Sequence, residues 1–316
     1  MWDTLVFKHP GITSTMSELQ GKVKNMSSQH AAISPSRASD FRTCPLKFRF
    51  RVIDKLPEPP SREALRGTIV HAVLEHLYDK PAQERQELAA QEALIPTWEN
   101  HLEHSPQSAE LFEDDNQLTQ WLESARPLIS SYFTLENPQY LQPAGRELFV
   151  NATLPSGLAI RGIIDRLDKA PNGALRIVDY KTGKSPAPRF QDGAIFQMRF
   201  YATALFYDHG TLPLRTQLLY LKDRRILTYD PVESDIMTTT NELNRLWSAI
   251  RGRIDDGHFE AKKGPLCNWC HFVSLCPAFG NTAPPIDEAG VAQLLTAERT
   301  EALQAEQQKD QIANQQ

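Results

Sequence analysis

The chain has 316 residues, a formal net charge of −5, 41% hydrophobic and 23% charged residues. This balance excludes a protein that coats nucleic acid through bulk positive charge, so any such contact must be local. No apolar run reaches the roughly 18 residues of a membrane helix and the start lacks a secretory pattern, so a cytoplasmic location without membrane contact is expected.

Residues 1–32 are polar and aperiodic and read as a disordered leader. Ser34 is a candidate N-cap with Pro35 at the first helical position, opening one helix through Phe41, Cys44, Phe48 and Val52. After a Pro-rich break at 56–61, apolar residues Ile69, Val70, Val73, Leu74 and Leu77 recur at helical spacing and predict a helix from Ala64 to Tyr78. Residues 79–140 read as an acidic helical insert, in which Arg85 is the only Lys or Arg between Glu84 and Glu123. Three β-rich runs follow, Glu147 to Leu154, Leu158 to Asp165 and Leu175 to Lys181, separated by Pro155-Ser156-Gly157 and Pro171-Asn172-Gly173. Beyond them the pattern predicts a helix over 194–207, strands over 216–221 and 225–229, and a long helix over 233–256 leading into a cysteine-rich segment. Residues 33–280 thus form the expected folded domain, and 281–316 a tail that is partly helical or disordered.

A hairpin turning about Asn172 pairs positions whose numbers sum to 344, which sets Asp165 directly opposite Asp179. Opposed carboxylates with Cβ atoms about 5 Å apart repel unless a cation intervenes, and strand alternation places Lys181 on the face of Asp179. Two acids and a lysine suit phosphodiester hydrolysis: oxygen ligands hold Mg²⁺ or Mn²⁺, and the ammonium steadies water or developing charge.

Asp165 in Gly162-Ile-Ile-Asp, Asp179-Tyr-Lys181, Gln197-x3-Tyr201, Gly67-x3-His71 and the Ser34-Pro opening together resemble the RecB-type branch of the PD-(D/E)XK nuclease superfamily over residues 33–280. The resemblance implies an α/β core, a mixed sheet flanked by helices. It also implies a DNA exonuclease of repair or recombination in which His71, Asp165, Asp179 and the Tyr180 carbonyl bind metal. Lys181 would then be catalytic and Gln197 and Tyr201 would support site and substrate. Glu75, one helical turn after His71, and Glu147, at the start of the first strand, stand as candidates for a second layer of the site. DNA, single-stranded or as duplex ends, is the expected partner. Gly183-Lys184-Ser185 ends like a phosphate-binding loop, but Val178 stands where that loop needs glycine, so any helicase would be a separate subunit.

The four cysteines are Cys44, Cys267, Cys270 and Cys276. The tight Cys-x2-Cys pair favours metal ligation over disulfides, and by ligand count zinc and a [4Fe–4S] cluster are both possible. The arrangement resembles the iron–sulfur staple of AddB-type subunits and CRISPR adaptation nucleases, which implies a cluster. Between Arg37 and Arg66 eight basic residues face four acids, a candidate DNA approach with Phe48 or Phe50 for base stacking. Competing readings are a CRISPR spacer-processing nuclease and a non-catalytic cluster-bearing subunit of a helicase–nuclease complex.

Overall fold

The computed structural model describes residues 32–296. Almost all of the expected leader and the end of the expected tail lie outside the described residues. Ser34 caps α1 (Pro35–Thr43), its hydroxyl accepting the Arg37 N–H at 3.2 Å, with Pro35 in the first turn where a missing N–H costs nothing. The single helix expected through Val52 is interrupted. Cys44 is extended (φ −159°, ψ 109°), since Pro45 crowds helical backbone at the residue before it. The chain resumes as a turn of helix, Pro45–Phe48, and a π-helical turn, Arg49–Ile53. Phe48 and Phe50 are buried in the core, 0% and 1% exposed, so neither is available to a base. Arg49 is buried too and pairs with Asp54 at 2.9 Å.

Ser61 caps α2 (Arg62–Leu77). The insert supplies α3 (Glu87–Glu92), α4 (Leu94–His104) and α5 (Asp115–Leu135). Its Trp98, Trp121, Ile129 and Tyr132 bury the apolar stripe of α2. The sheet follows: β1 (Pro143–Thr153), β2 (Ala159–Lys169), β3 (Leu175–Lys181), β4 (Arg215–Tyr220) and β5 (Arg225–Tyr229), in that spatial order. All neighbours are antiparallel except β3 and β4, which are parallel. That switch requires a crossover, made by α6 (Asp192–His209). α7 (Glu233–Asp255) packs on α6.

Strand alternation divides the apolar residues of β3 between two cores. Ile177 joins Phe200, Leu243, Trp247, Phe48 and Phe50 in one, while Val178 and Tyr180 join α2 and the insert in the other. The mixed sheet flanked by helices is therefore present as expected. Residues 281–296 stay on this unit: the final helix, α8 (288–296), buries Leu294. Gly290 of this helix passes so close to the Ile53 carbonyl that any Cβ would collide with it.

One buried charge ties the insert to the sheet. Arg166, 0% exposed, donates to the hydroxyls of Tyr78 (2.9 Å), Tyr132 (3.2 Å) and Tyr180 (2.6 Å). It also pairs with Glu136 at 2.7 Å and with both oxygens of Asp168 at 3.0 and 3.1 Å. Every donor direction of the guanidinium has an acceptor, the condition under which a buried cation is tolerated. Arg166 follows Asp165 directly, so this network fixes the strand that carries the site.

Candidate active site

The pairing of β2 with β3 follows the predicted register, from Lys169↔Leu175 to Arg166↔Val178. It ends one step before Asp165 and Asp179. There the Asp165 carboxylate accepts the Tyr180 N–H at 2.7 Å, a donor that a continued ladder would give to β2. The β1–β2 register adds a third acid, because Arg146↔Arg166 and Leu148↔Ile164 leave Glu147 across from Asp165. Glu147, Asp165 and Asp179 thus occupy one row across three adjacent strands. Glu147 has φ 42°, left-handed backbone that costs a non-glycine residue about 1–3 kcal/mol.

From α2, His71 brings Nδ1 to 3.4 Å from Asp165 Oδ2, and its ring packs edge-on to Tyr180 with 5.8 Å between centroids. Ligand atoms of His71, Glu147 and Asp165 all lie within 4.8 Å of one another, the one such group among the described residues. This His/Glu/Asp set has the nitrogen and oxygen donors of a divalent-metal site. Glu147, expected in a supporting layer, stands in this group, and Asp179, expected as a ligand, stands beside it. The Asp179 carboxylate is engaged by Lys181 Nζ at 2.7 Å from Oδ2 and by Gln197 Nε2, which donates to Oδ1 at 2.8 Å. Tyr201 stands one turn on from Gln197 along α6. The Tyr201 ring lies against Gly162, where a Cβ would fall 2.7 Å from Cε1. Glu75 acts at a distance: its carbonyl accepts from Arg146 at 2.6 Å, and its charge bears on Glu147.

The electrostatics are those of a cation site. Burial, and then the Asp179 charge, hold the Asp165 carboxyl well above the ordinary carboxylate range. Burial, followed by Glu75 and Asp179, pushes Glu147 up to about 7. Burial pushes His71 below its ordinary 6.5, so at neutral pH the imidazole is neutral and able to ligate. Carboxylates in a partly dry corner resist ionising together, and a divalent ion relieves that strain. The donor set and its raised acids fit a divalent metal ion.

Lys181, Gln197 and Tyr201 also line a cleft of about 1450 Å³. Six of its lining residues are basic, Arg37, Arg42, Lys55, Arg161, Lys181 and Lys184, and none is acidic. Arg37 is pushed down to about 10 by burial and by the neighbouring Arg161, the mark of guanidiniums gathered where an anion is wanted. Arg42 stacks on Phe196 at 4.6 Å and pairs with Glu242 at 3.1 Å. The basic stretch expected from Arg37 to Arg66 is thus only partly on this surface, because Lys47 and Arg51 pair with Asp40 at 3.1 and 2.5 Å.

The four cysteines are all free thiols, half-buried. Cys44 Sγ accepts the Lys262 N–H at 3.4 Å and Cys267 Sγ the Gly264 N–H at 3.3 Å. The Cys44 segment and the Cys267 segment therefore meet at donors two residues apart. Edge-on packing of Phe272 on Phe50, 5.3 Å between centroids, and the Leu46 N–H bond to the Glu260 carbonyl hold the segments together. No three of the sulfurs come within 4.8 Å, wider than the roughly 3.8 Å separations of a closed tetrahedral zinc site with Zn–S near 2.3 Å.

A row of acids across β1, β2 and β3, with a lysine at the end of β3 and a parallel β3–β4 pair joined by a crossover helix, is the arrangement expected of a nuclease. Residues 32–277 match the PD-(D/E)XK nuclease superfamily, and the chain belongs to it. The Gene 69 protein of Mycobacterium phage L5 is 24% identical over 287 residues, covering 78% of this chain and 96% of the relative. The Gene 69 protein of Mycobacterium phage D29 is 24% identical over 271 residues, with the same coverage of 78% and 96%. Among solved structures, the "Putative exonuclease" from Eubacterium rectale is similar with a TM-score of 0.50 and 15% identity. The match covers 82% of this chain and 93% of that one, a likeness of fold.

The place of Glu147 was readable in advance. A hairpin about Ser156 pairs positions that sum to 312, which sets Glu147 opposite Asp165 by the same mirror rule that aligned Asp165 with Asp179. Its backbone conformation had no such signal.

Proposed function

We propose that the protein is a divalent-metal-dependent DNA exonuclease of the RecB type, acting in repair or recombination. The observation that carries this reading is the row of Glu147, Asp165 and Asp179, joined by His71 and Lys181, beside a cleft that Lys181, Gln197 and Tyr201 help line and whose charged lining residues are all cations. His71, Glu147 and Asp165, with Asp179 and the Tyr180 carbonyl beside them, hold Mg²⁺ or Mn²⁺. When bound, that ion polarises a phosphate oxygen and acidifies water. Lys181 orients the attacking water and takes up negative charge developing on the phosphate. Gln197 fixes the Asp179 carboxylate, and Tyr201, one turn on along the same helix, lines the cleft beside it. Arg37, Arg42 and Arg161 receive the backbone of the DNA.

The test is an assay of anaerobically purified protein on end-labelled single- and double-stranded DNA with Mn²⁺ or Mg²⁺, beside Lys181→Ala. Terminal nucleotides released by the wild type and not by the variant are expected. Equal cleavage by both, or none by either, refutes the mechanism.

The cysteines form a second part of the reading, a structural [4Fe–4S] staple held by Cys44, Cys267, Cys270 and Cys276. Its support is the meeting of Cys44 with the 260–276 segment, the N–H donors on two of the sulfurs and the absence of disulfides. A cubane spreads its four thiolates wider than a single tetrahedral ion does. The staple closes nearly the whole domain into a loop, so losing it should loosen the fold. Iron and sulfide analysis of wild type and Cys44→Ser tests this, and a variant with full iron and unchanged unfolding temperature refutes it.

A further inference from the structure

Lys181 and Tyr220 close the parallel strands β3 and β4 and line the large cleft. The next residues, Thr182 and Leu221, line a different pocket of about 490 Å³. Successive residues of an extended chain project to opposite sides, so the two hollows flank the same strand ends. The Leu221 N–H, bonded to the Lys181 carbonyl at 2.8 Å, is part of the partition.

The second pocket is cationic. Arg66 from α2 and Lys222 and Arg224 from the β4–β5 turn line it, with the hydroxyls of Ser124 and Ser131 on α5. Arg66 Nη1 donates to Ser124 at 3.1 Å, while its Nε is buried with no partner. Arg224 sits in left-handed backbone, φ 55°, with Nε donating to Ser131 at 3.3 Å. The lone carboxylate of the lining, Asp223, is committed: the Ser185 hydroxyl donates to it at 2.6 Å and the Ser185 N–H at 3.1 and 3.2 Å. The acids of the insert do not line this pocket, although α5 supplies one wall. Two guanidinium groups and an ammonium around a hollow, held in place by the Ser124 and Ser131 oxygens, bring together the charge and N–H donors that recognise phosphate oxygens.

We propose that this pocket is a second phosphate subsite of the nuclease. A strand whose scissile phosphate lies at the acid row passes over the Lys181–Thr182 edge. It then seats a neighbouring internal backbone phosphate among Arg66, Lys222 and Arg224. This rests on the nuclease reading above. It assigns the far face of the strand ends to binding, so the substrate is gripped on both sides of the bond that breaks. The carboxyl ends of parallel strands, where neighbouring connections diverge, are the usual place for a ligand to cross a sheet edge.

The experiment measures binding of a fluorescent single-stranded oligonucleotide by anisotropy, in Ca²⁺ and over a range of salt. Wild type is compared with Arg66→Ala, Lys222→Ala, Arg224→Ala and the charge-retaining Arg66→Lys. Each alanine variant is expected to bind about tenfold more weakly and to lower the slope of log K against log salt by about 0.7, one phosphate contact on a single strand. Arg66→Lys should keep the slope, which a purely structural arginine would not predict. Lys222 is exposed, so its variant reports even if an arginine variant fails to fold. Unchanged affinity and slope in Lys222→Ala and in any folded arginine variant would overturn the subsite. The same series on 5′-phosphorylated and 5′-hydroxyl oligonucleotides separates the two sources of phosphate. Losses confined to the phosphorylated strand would overturn the internal-phosphate assignment. A parallel cleavage assay with Lys181→Ala tests the nuclease reading by itself, because the salt slope measures the pocket whether or not the bond is cut.

Discussion

Glu147→Gln should make the metal-free protein more stable at alkaline pH and less responsive to metal. The Glu147 carboxyl rises from its ordinary 4.5 to about 7 in the fold, through burial first and then the charges of Glu75 and Asp179. A carboxyl whose folded pKa exceeds its unfolded value binds its proton more tightly when folded. It therefore costs nothing below pH 4.5, destabilises progressively between 4.5 and 7, and exerts its full penalty above 7. At 1.36 kcal/mol per unit the shift sets an upper bound of about 3 kcal/mol, which partial solvent access reduces to about 1–2 kcal/mol. The amide removes this charge and relieves Asp165, whose carboxyl Glu147 also raises. Thermal unfolding in EDTA should show Glu147→Gln above wild type by roughly 2–4 °C at pH 8, with the gap closing at pH 5. Adding Mn²⁺ should stabilise the wild type and narrow or reverse the order, because the ion supplies the charge that the cluster lacks. A variant less stable than wild type at pH 8 without metal, or a gap that does not depend on pH, would refute the picture of stored repulsion.

Gly162→Ala places a Cβ 2.7 Å from the Tyr201 ring, and displacing that ring disturbs Gln197 and through it Asp179. The expected outcome is a loss of about 1–3 kcal/mol by denaturant unfolding and a fall in cleavage rate larger than any change in KM. A variant matching wild type in both would show that the ring moves freely. Arg166→Met leaves Glu136 and Asp168 with Arg176 as the cation that pairs with both, at 2.9 and 2.7 Å, and takes from three buried tyrosine hydroxyls the donor they share. Calorimetry should register about 3–5 kcal/mol of lost stability, and a midpoint within a degree of wild type would contradict the network.

The sequence carried much of this protein because its signals were local. Strand β3, Leu175–Lys181, matches its β-rich run residue for residue, and the turn about Asn172 set the register that brings Asp165 towards Asp179. Period-2 alternation and Gly-containing turns are short-range physics, legible wherever a hairpin joins consecutive strands. The helices α2, α6 and α7 followed from the 3.6-residue period in the same way, within a few residues at their ends.

Other features depended on which distant segments meet. A basic stretch in sequence does not reveal that Lys47 and Arg51 turn to Asp40, while Arg37 lines the cleft together with Arg161 of β2. Phe48 and Phe50 are buried because α6, α7 and the 272 region close over them, contacts that no window of the N-terminal sequence contains. The local residues did fix the charge of the acids. Their elevated proton affinity came from the helices and strands packed around them, since desolvation and repulsion are properties of the assembled corner. By itself the sequence determined the strands, their hairpin register and the chemical types present. Tertiary packing decided which side chains share a solvent-poor space, and this made Glu147 a partner of His71 and Asp165 and set cations on both faces of the strand ends.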